Sequence, residues 1–133
     1  MCGILGEIDF NNQELNIDSF KKNIETLKNR GPDDVGYWSH ENLIQLGFTR
    51  LSIIDLDSRS NQPMQSNDKN IVMVFNGEIY NYKELRNYLL KQNSKFKTTS
   101  DSEVILELYK QEGPESLNKL RGMFSIVICD LIT

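Results

Sequence analysis

The sequence predicts an α+β fold within one domain's length of chain. Three observations predict it. Strand patterns alternate with helix patterns along all 133 residues. Two strand patterns, Gly36–His40 and Leu43–Ile54, meet near Glu41-Asn42 with no helix between them, which reads as a hairpin. No repeat, low-complexity tract or Pro/Gly-rich linker divides the chain.

The elements follow in order. Cys2–Phe10 reads as a strand through Ile4, Leu5 and Ile8, ended by Asn11-Asn12. Asp18–Asn29 reads as a helix, because Phe20, Ile24 and Leu27 share one face. Gly31-Pro32 stops it: glycine can cap a helix and proline cannot continue one. After the hairpin, Asp57–Asn70 reads as a polar loop. Ile71–Phe75 reads as a buried strand, with Asn76-Gly77 as the turn that ends it. Tyr82–Gln92 is expected to be helical and Lys97–Thr99 extended. Ser102–Gln111 is expected to be a second such helix, ended by Gly113-Pro114, with a short helix over Pro114–Leu120. Met123–Asp130 is a continuous apolar strand, as if covered on both faces. No strand partner follows it within the chain, so the sheet reads as incomplete at its C-terminal side.

Composition narrows the function classes. Fifteen Lys+Arg stand against 19 Asp+Glu, a net charge of -4, which argues against a nucleic-acid binder. No apolar run approaches the roughly 18 residues of a membrane helix. The N-terminus has no basic stretch, and Glu7 and Asp9 interrupt its apolar residues, so neither a signal peptide nor export is expected and the cytoplasm is. Cys2 and Cys129 could form at most one disulfide, and with His40 they do not suffice for a four-ligand structural zinc site. No metal site is expected.

Three features carry chemistry. Cys2 follows the initiator Met1, with Gly3 beside it. With Met1 removed, Cys2 has a thiol and a free α-amine that titrates near pH 7.7–8.0 in model peptides. The neutral amine can take the thiol proton, so nucleophile and base occupy one residue. Otherwise Cys2 is a small buried apolar residue. Asn76-Gly77 can supply two oxyanion donors, a side-chain amide and a backbone N–H. Taken alone, an ordinary turn is the simpler reading. Arg50 can grip a carboxylate, while Glu78 and Asp101 can hold an ammonium group. Against that, Arg50 fits a snorkelling edge residue and Asp101 a helix N-cap.

Six segments occur in an order that makes the chain recognisable. They are Met1-Cys2-Gly3-Ile4, Arg30-Gly31-Pro32-Asp33, Arg50-Leu51-Ser52-Ile53-Ile54-Asp55 with Gln62-Pro63-Met64, Phe75-Asn76-Gly77-Glu78-Ile79-Tyr80-Asn81, Ser100-Asp101-Ser102-Glu103-Val104-Ile105, and Leu120-Arg121-Gly122-Met123-Phe124. Along almost its whole length the chain resembles the N-terminal, class II glutaminase domain of the asparagine synthetase family. Arg30-Gly31-Pro32-Asp33 favours that branch over the sugar- and purine-pathway amidotransferases.

The resemblance implies a four-layer αββα N-terminal-nucleophile hydrolase sandwich of mainly antiparallel sheets. It implies that Cys2 attacks the glutamine side-chain amide and releases ammonia through a thioester. Asn76 and Gly77 would form the oxyanion hole. Arg50 would bind the α-carboxylate, Glu78 and Asp101 the α-ammonium, and backbone at Ile53 and Ile54 would line the pocket. No cofactor is implied for this step. ATP and Mg2+ belong to a separate synthetase domain that amidates aspartate, normally in the same chain and absent here, and the resemblance leaves room for a homodimer. A related amidotransferase acting on another carboxylate, or an inactive fragment, is the alternative.

Overall fold

The computed structural model describes residues 2–11, 14–51 and 60–132. Six strands and three α-helices follow the order β1 (Gly3–Ile8), α1 (Ile17–Glu25), β2 (Asp34–His40), β3 (Ile44–Arg50), β4 (Met64–Gln65), β5 (Ile71–Ile79), α2 (Tyr82–Lys91), α3 (Asp101–Glu112) and β6 (Gly122–Asp130). The short helix expected over Pro114–Leu120 is a 3-10 helix over Pro114–Lys119. All strand pairs are antiparallel, in two three-stranded sheets ordered β1-β3-β2 and β4-β5-β6. The α+β class and the antiparallel sheets are as the sequence indicates.

The β2–β3 hairpin turns through Glu41 and Asn42, both at positive φ (47° and 54°). The Leu43 N–H donates to the His40 carbonyl (2.9 Å). Two consecutive left-handed residues twist in the sense of the strands they join. α1 begins at the N-cap Asn16, whose side chain accepts from the Ser19 N–H. The helix stops at Glu25, four residues short of the expected end. Phe20 and Ile24 are fully buried against β3. Gly47 permits that approach: a Cβ there would lie 2.9 Å from Ile24 Cδ1.

Strand alternation divides the core in two. Leu46 and Phe48 of β3 face Val72 and Val74 of β5 between the sheets, joined by Ile4, Trp38, Val127 and Cys129. Ile71, Met73, Phe75 and Ile79 point the other way, onto Leu85 and Leu89 of α2 and Val104, Ile105 and Leu108 of α3. The layers are thus α1, sheet, sheet, and α2 with α3.

Four expectations are corrected or narrowed. Asn76-Gly77 is not a turn: β5 runs on to Ile79, and these residues pair with Ser125 and Phe124 of β6. Gly77 is needed for another reason. Its φ is 152°, and a Cβ would lie 2.2 Å from the Met123 carbonyl oxygen. β6 is covered on both faces only from Ile126 onward, where Ile126 and Ile128 pack on the helix side and Val127 and Cys129 lie between the sheets; Gly122 to Ser125 are exposed. Lys97–Thr99 forms no strand, and the short β4 lies inside the expected loop.

Replacing Ile24 with Ala should lower unfolding stability by about 2–5 kcal/mol through the cavity left against β3. Lys22→Ala on the exposed face should change it by less than about 0.5 kcal/mol. Urea midpoints of the two variants check this, and equal midpoints would remove α1 from the core.

Candidate functional site

The inter-sheet space changes character toward one end. In β3 the face that carries Leu46 and Phe48 continues to Arg50. In β5 the face of Val72 and Val74 continues to Asn76 and Glu78. The apolar core therefore opens, without a change of strand face, into a cavity of about 410 Å³ whose mainly apolar wall carries a few charged and polar side chains. Cys2, Arg50, Asn76, Gly77, Glu78 and Asp101 all line it. Ile53 and Ile54 lie outside the described residues. The volume is within the roughly 300–1,000 Å³ usual for small-ligand sites.

Cys2 directly precedes β1 and is half-buried. The Leu51 N–H donates to its sulfur (3.3 Å), and Arg30 Nε donates to its carbonyl (3.2 Å). The next residue, Gly3, donates its N–H to Thr49 Oγ1 (3.1 Å), which in turn donates to the Leu27 carbonyl. A Cβ at Gly3 would lie 2.6 Å from Thr49 Oγ1, so glycine lets β1 close onto β3. Both cysteines are free thiols. Cys129 pairs with Val72, far along β5 from Asn76, and burial pushes its thiol pKa up.

Arg50 ends β3 and is only 7% exposed, so it is no snorkelling edge residue. Its Nη1 donates to Asn61 Oδ1. Asp101 is likewise 7% exposed. It is not the N-cap of α3. Ser100 caps the helix by accepting from the Glu103 N–H. The Glu103 carboxylate accepts from the N–H groups of Lys97 and Thr98 (2.8 and 2.7 Å), tying down the approach to the helix. Asp101 is thereby free to reach across to β5. Its Oδ2 accepts from the Ile79 N–H (3.2 Å) and its Oδ1 from the Ser102 N–H (2.9 Å). Burial pushes the Asp101 carboxyl pKa upward and the Glu78 charge adds to the shift, against the two backbone N–H groups.

Residues that the motifs did not point to as site residues also line the cavity: Ser60, Gln62 and Met123 among them. Ser60 is 4% exposed, and among the described residues its Oγ has no hydrogen-bond partner. The signal for Met123 was available. It sits opposite Glu78 on β6, so the strand face that carries Glu78 carries it too. Among the described residues no group of three or more His, Cys, Asp or Glu could hold a metal ion. No helix among them is long and apolar enough to cross a membrane.

A half-buried cysteine, a buried arginine and two carboxylates around one cavity, on two facing antiparallel sheets, suit acyl-transfer chemistry on an amino acid. The chain belongs to the glutamine amidotransferase domain family, which it matches over residues 1–133. Its sequence relatives are glutamine-hydrolysing asparagine synthetases. It is 43% identical to asparagine synthetase 2 of Bacillus subtilis over 98% of its own length and 17% of that protein's. To asparagine synthetase B of Escherichia coli it is 39% identical, over 98% and 23% of the two chains. The chain therefore spans about a fifth of the length of these relatives. Among solved structures it is similar to the glutamine phosphoribosylpyrophosphate amidotransferase of B. subtilis, with a TM-score of 0.57 and 26% identity, over 67% of this chain and 21% of that one.

The raised Asp101 pKa has a signed consequence for stability. The folded state holds this proton more tightly than the unfolded state. The contribution is therefore full below the unfolded pKa and is lost as pH rises through the folded pKa. Asp101→Asn lacks that loss. Its stability relative to the native protein should increase with pH across the carboxylate range and level off above it. Denaturation curves at stepped pH check this; a difference that falls with pH would contradict the burial argument.

Proposed function

We propose that this chain is the glutamine-hydrolysing part of an asparagine synthetase. The observation that carries the reading is convergence. Six residues singled out from the sequence, on β1's approach, β3, β5 and α3, line a single cavity.

The chemistry follows from their types. With Met1 removed, the Cys2 α-amine takes the thiol proton and the sulfur attacks the glutamine side-chain carbonyl carbon. The Asn76 side-chain amide and the Gly77 N–H receive the oxyanion. Collapse breaks the C–N bond, the proton passes from the ammonium to the leaving nitrogen, and ammonia departs. Water then attacks the thioester by the same route, giving glutamate and the free thiol. Arg50 grips the α-carboxylate in two-pronged fashion. Glu78 and Asp101 face the α-ammonium. Backbone at Ile53 and Ile54 completes the pocket in this proposal. The ammonia would pass to an ATP- and Mg2+-dependent synthetase domain that amidates aspartate, a step outside this chain.

The test is to incubate the protein with glutamine. Glutamate and ammonia should appear in equal amounts, and Cys2→Ala should abolish both. Intact mass should show Met1 removed on the active molecules; activity with Met1 retained would refute the α-amine as base. Arg50→Lys keeps the charge but loses the planar fork, and should raise KM for glutamine roughly tenfold with a smaller change in kcat. An unchanged KM would take Arg50 out of carboxylate binding.

A further inference from the structure

Resting on that reading of the cavity, we propose that Gln62 is a positioning residue for the oxyanion donors: its side chain stands in for a missing strand residue on β5. Every odd-numbered residue of β5 turns its backbone polar groups toward one edge, away from β6, and these groups need partners. At Ile71 the partner is Ser66, whose N–H donates to the Ile71 carbonyl (2.9 Å) and whose Oγ accepts from the Ile71 N–H (3.0 Å). At Met73 the partner is Met64 of β4. β4 then stops. Its register, continued back through the chain, would set Pro63 opposite Val74 and Gln62 opposite Phe75. The next main-chain pair on this edge would be Gln62 with Phe75, and the ladder ends before it: the Gln62 main-chain carbonyl packs on Gly36 of β2 instead. The Gln62 carboxamide takes over. Its Nε2 donates to the Phe75 carbonyl (3.0 Å) and its Oε1 accepts from the Phe75 N–H (2.5 Å). One primary amide thus makes the donor and acceptor pair of a strand residue.

The position of this pair matters for the chemistry. Phe75 is joined directly to Asn76, and the next odd position on the same edge is Gly77. Beyond Gln62 no strand among the described residues pairs with this edge, and there it borders the cavity. The next partner along is Asp101, at Ile79. Gln62 and Asp101 therefore pin β5 on either side of Asn76-Gly77. Gln62 is itself held. It is 8% exposed, and its carbonyl oxygen packs on Gly36 of β2 so closely that a Cβ there would lie 1.9 Å away. A side chain gripped this way fixes the Phe75 peptide, and through it the aim of both oxyanion donors.

Two variants and two readouts test the inference. Gln62→Met fills a similar volume but bonds to neither Phe75 group. It should lower kcat for glutamine hydrolysis about 10- to 100-fold, the scale expected for misaimed transition-state donors, while KM changes less than about threefold. Gln62→Glu can mimic the amide only when protonated, because only then does it carry both donor and acceptor. Its activity relative to the native protein should therefore rise as pH falls from about 8 to 6. Amide hydrogen exchange gives a readout that needs no activity: the Phe75 N–H should lose protection in Gln62→Met while that of Met73 keeps it. Native hydrolysis with an unchanged kcat in Gln62→Met, or a flat Gln62→Glu ratio, would overturn the inference alone. If the native protein releases no glutamate, the reading of the cavity has failed instead. Retained Phe75 protection in Gln62→Met would then still overturn the role given to Gln62.

Discussion

The site depends on one uncovered strand edge. β6 pairs with β5 over all nine of its residues, but on the other edge β4 covers only Val72 and Met73. A backbone edge inside a folded protein has to be paired or left open to something polar. This protein does both in turn. Ser66, Met64 and Gln62 cover the first part of the edge, Asp101 takes the last N–H, and the stretch between borders the cavity. A longer β4 would close the cavity by extending the ladder across Gly77. β4 does not extend that far, because the Gln62 main-chain carbonyl packs on Gly36 of β2 rather than facing Phe75.

The facing sheet meets this opening with the same logic. Strand alternation cannot stop at the edge of a core, so residues beyond the last apolar pair still point between the sheets. Arg50 follows Phe48 in this way, and Asn76 and Glu78 follow Val74. The apolar layer packs the sheets together, and its polar continuation on the same strands lines the cavity. Side chains held by sheet backbone keep their aim better than side chains on loops. Cys2 gains the same benefit because Gly3 lets β1 sit hard against Thr49.

What the sequence disclosed follows from this arrangement. Cys2, Arg50 and Glu78 were legible because a charged or nucleophilic residue within or beside a strand pattern has few ordinary explanations. Asn76-Gly77 stood out as a candidate donor pair and does line the cavity, but was misread as a turn. The dipeptide tolerates turn dihedrals, but its glycine answers the close passage of Met123 and Phe124 of β6, a contact more than 40 positions away in sequence. Ser60 and Gln62 were not legible as parts of the site. No periodicity marks a segment whose function is to replace a strand by a side chain. Asp101 was legible as a helix-start residue, yet the cap is Ser100, and only the fold shows the carboxylate turned back onto β5. Local pattern reports which elements form. It does not report which backbone groups those elements leave unpaired.

The electrostatics of the cavity give direction to the proposed binding mode. Asp101 is buried, and the charge of Glu78 opposes its ionisation further, so an ionised carboxylate at this place is held at a cost. A ligand that brings a cation between the two relieves that cost, and one that brings an anion to the same place adds to it. Arg50, on the facing sheet, has the opposite preference. Arg50 on β3 and the carboxylates of Glu78 on β5 and Asp101 on α3 thus bring opposite signs to one cavity, which suits the proposed zwitterionic ligand. In the proposed binding mode the substrate side chain extends toward Cys2. An amide at its far end would meet the sulfur on one side and the Asn76-Gly77 donors on the other, so the charges that hold the substrate would also set the direction of attack.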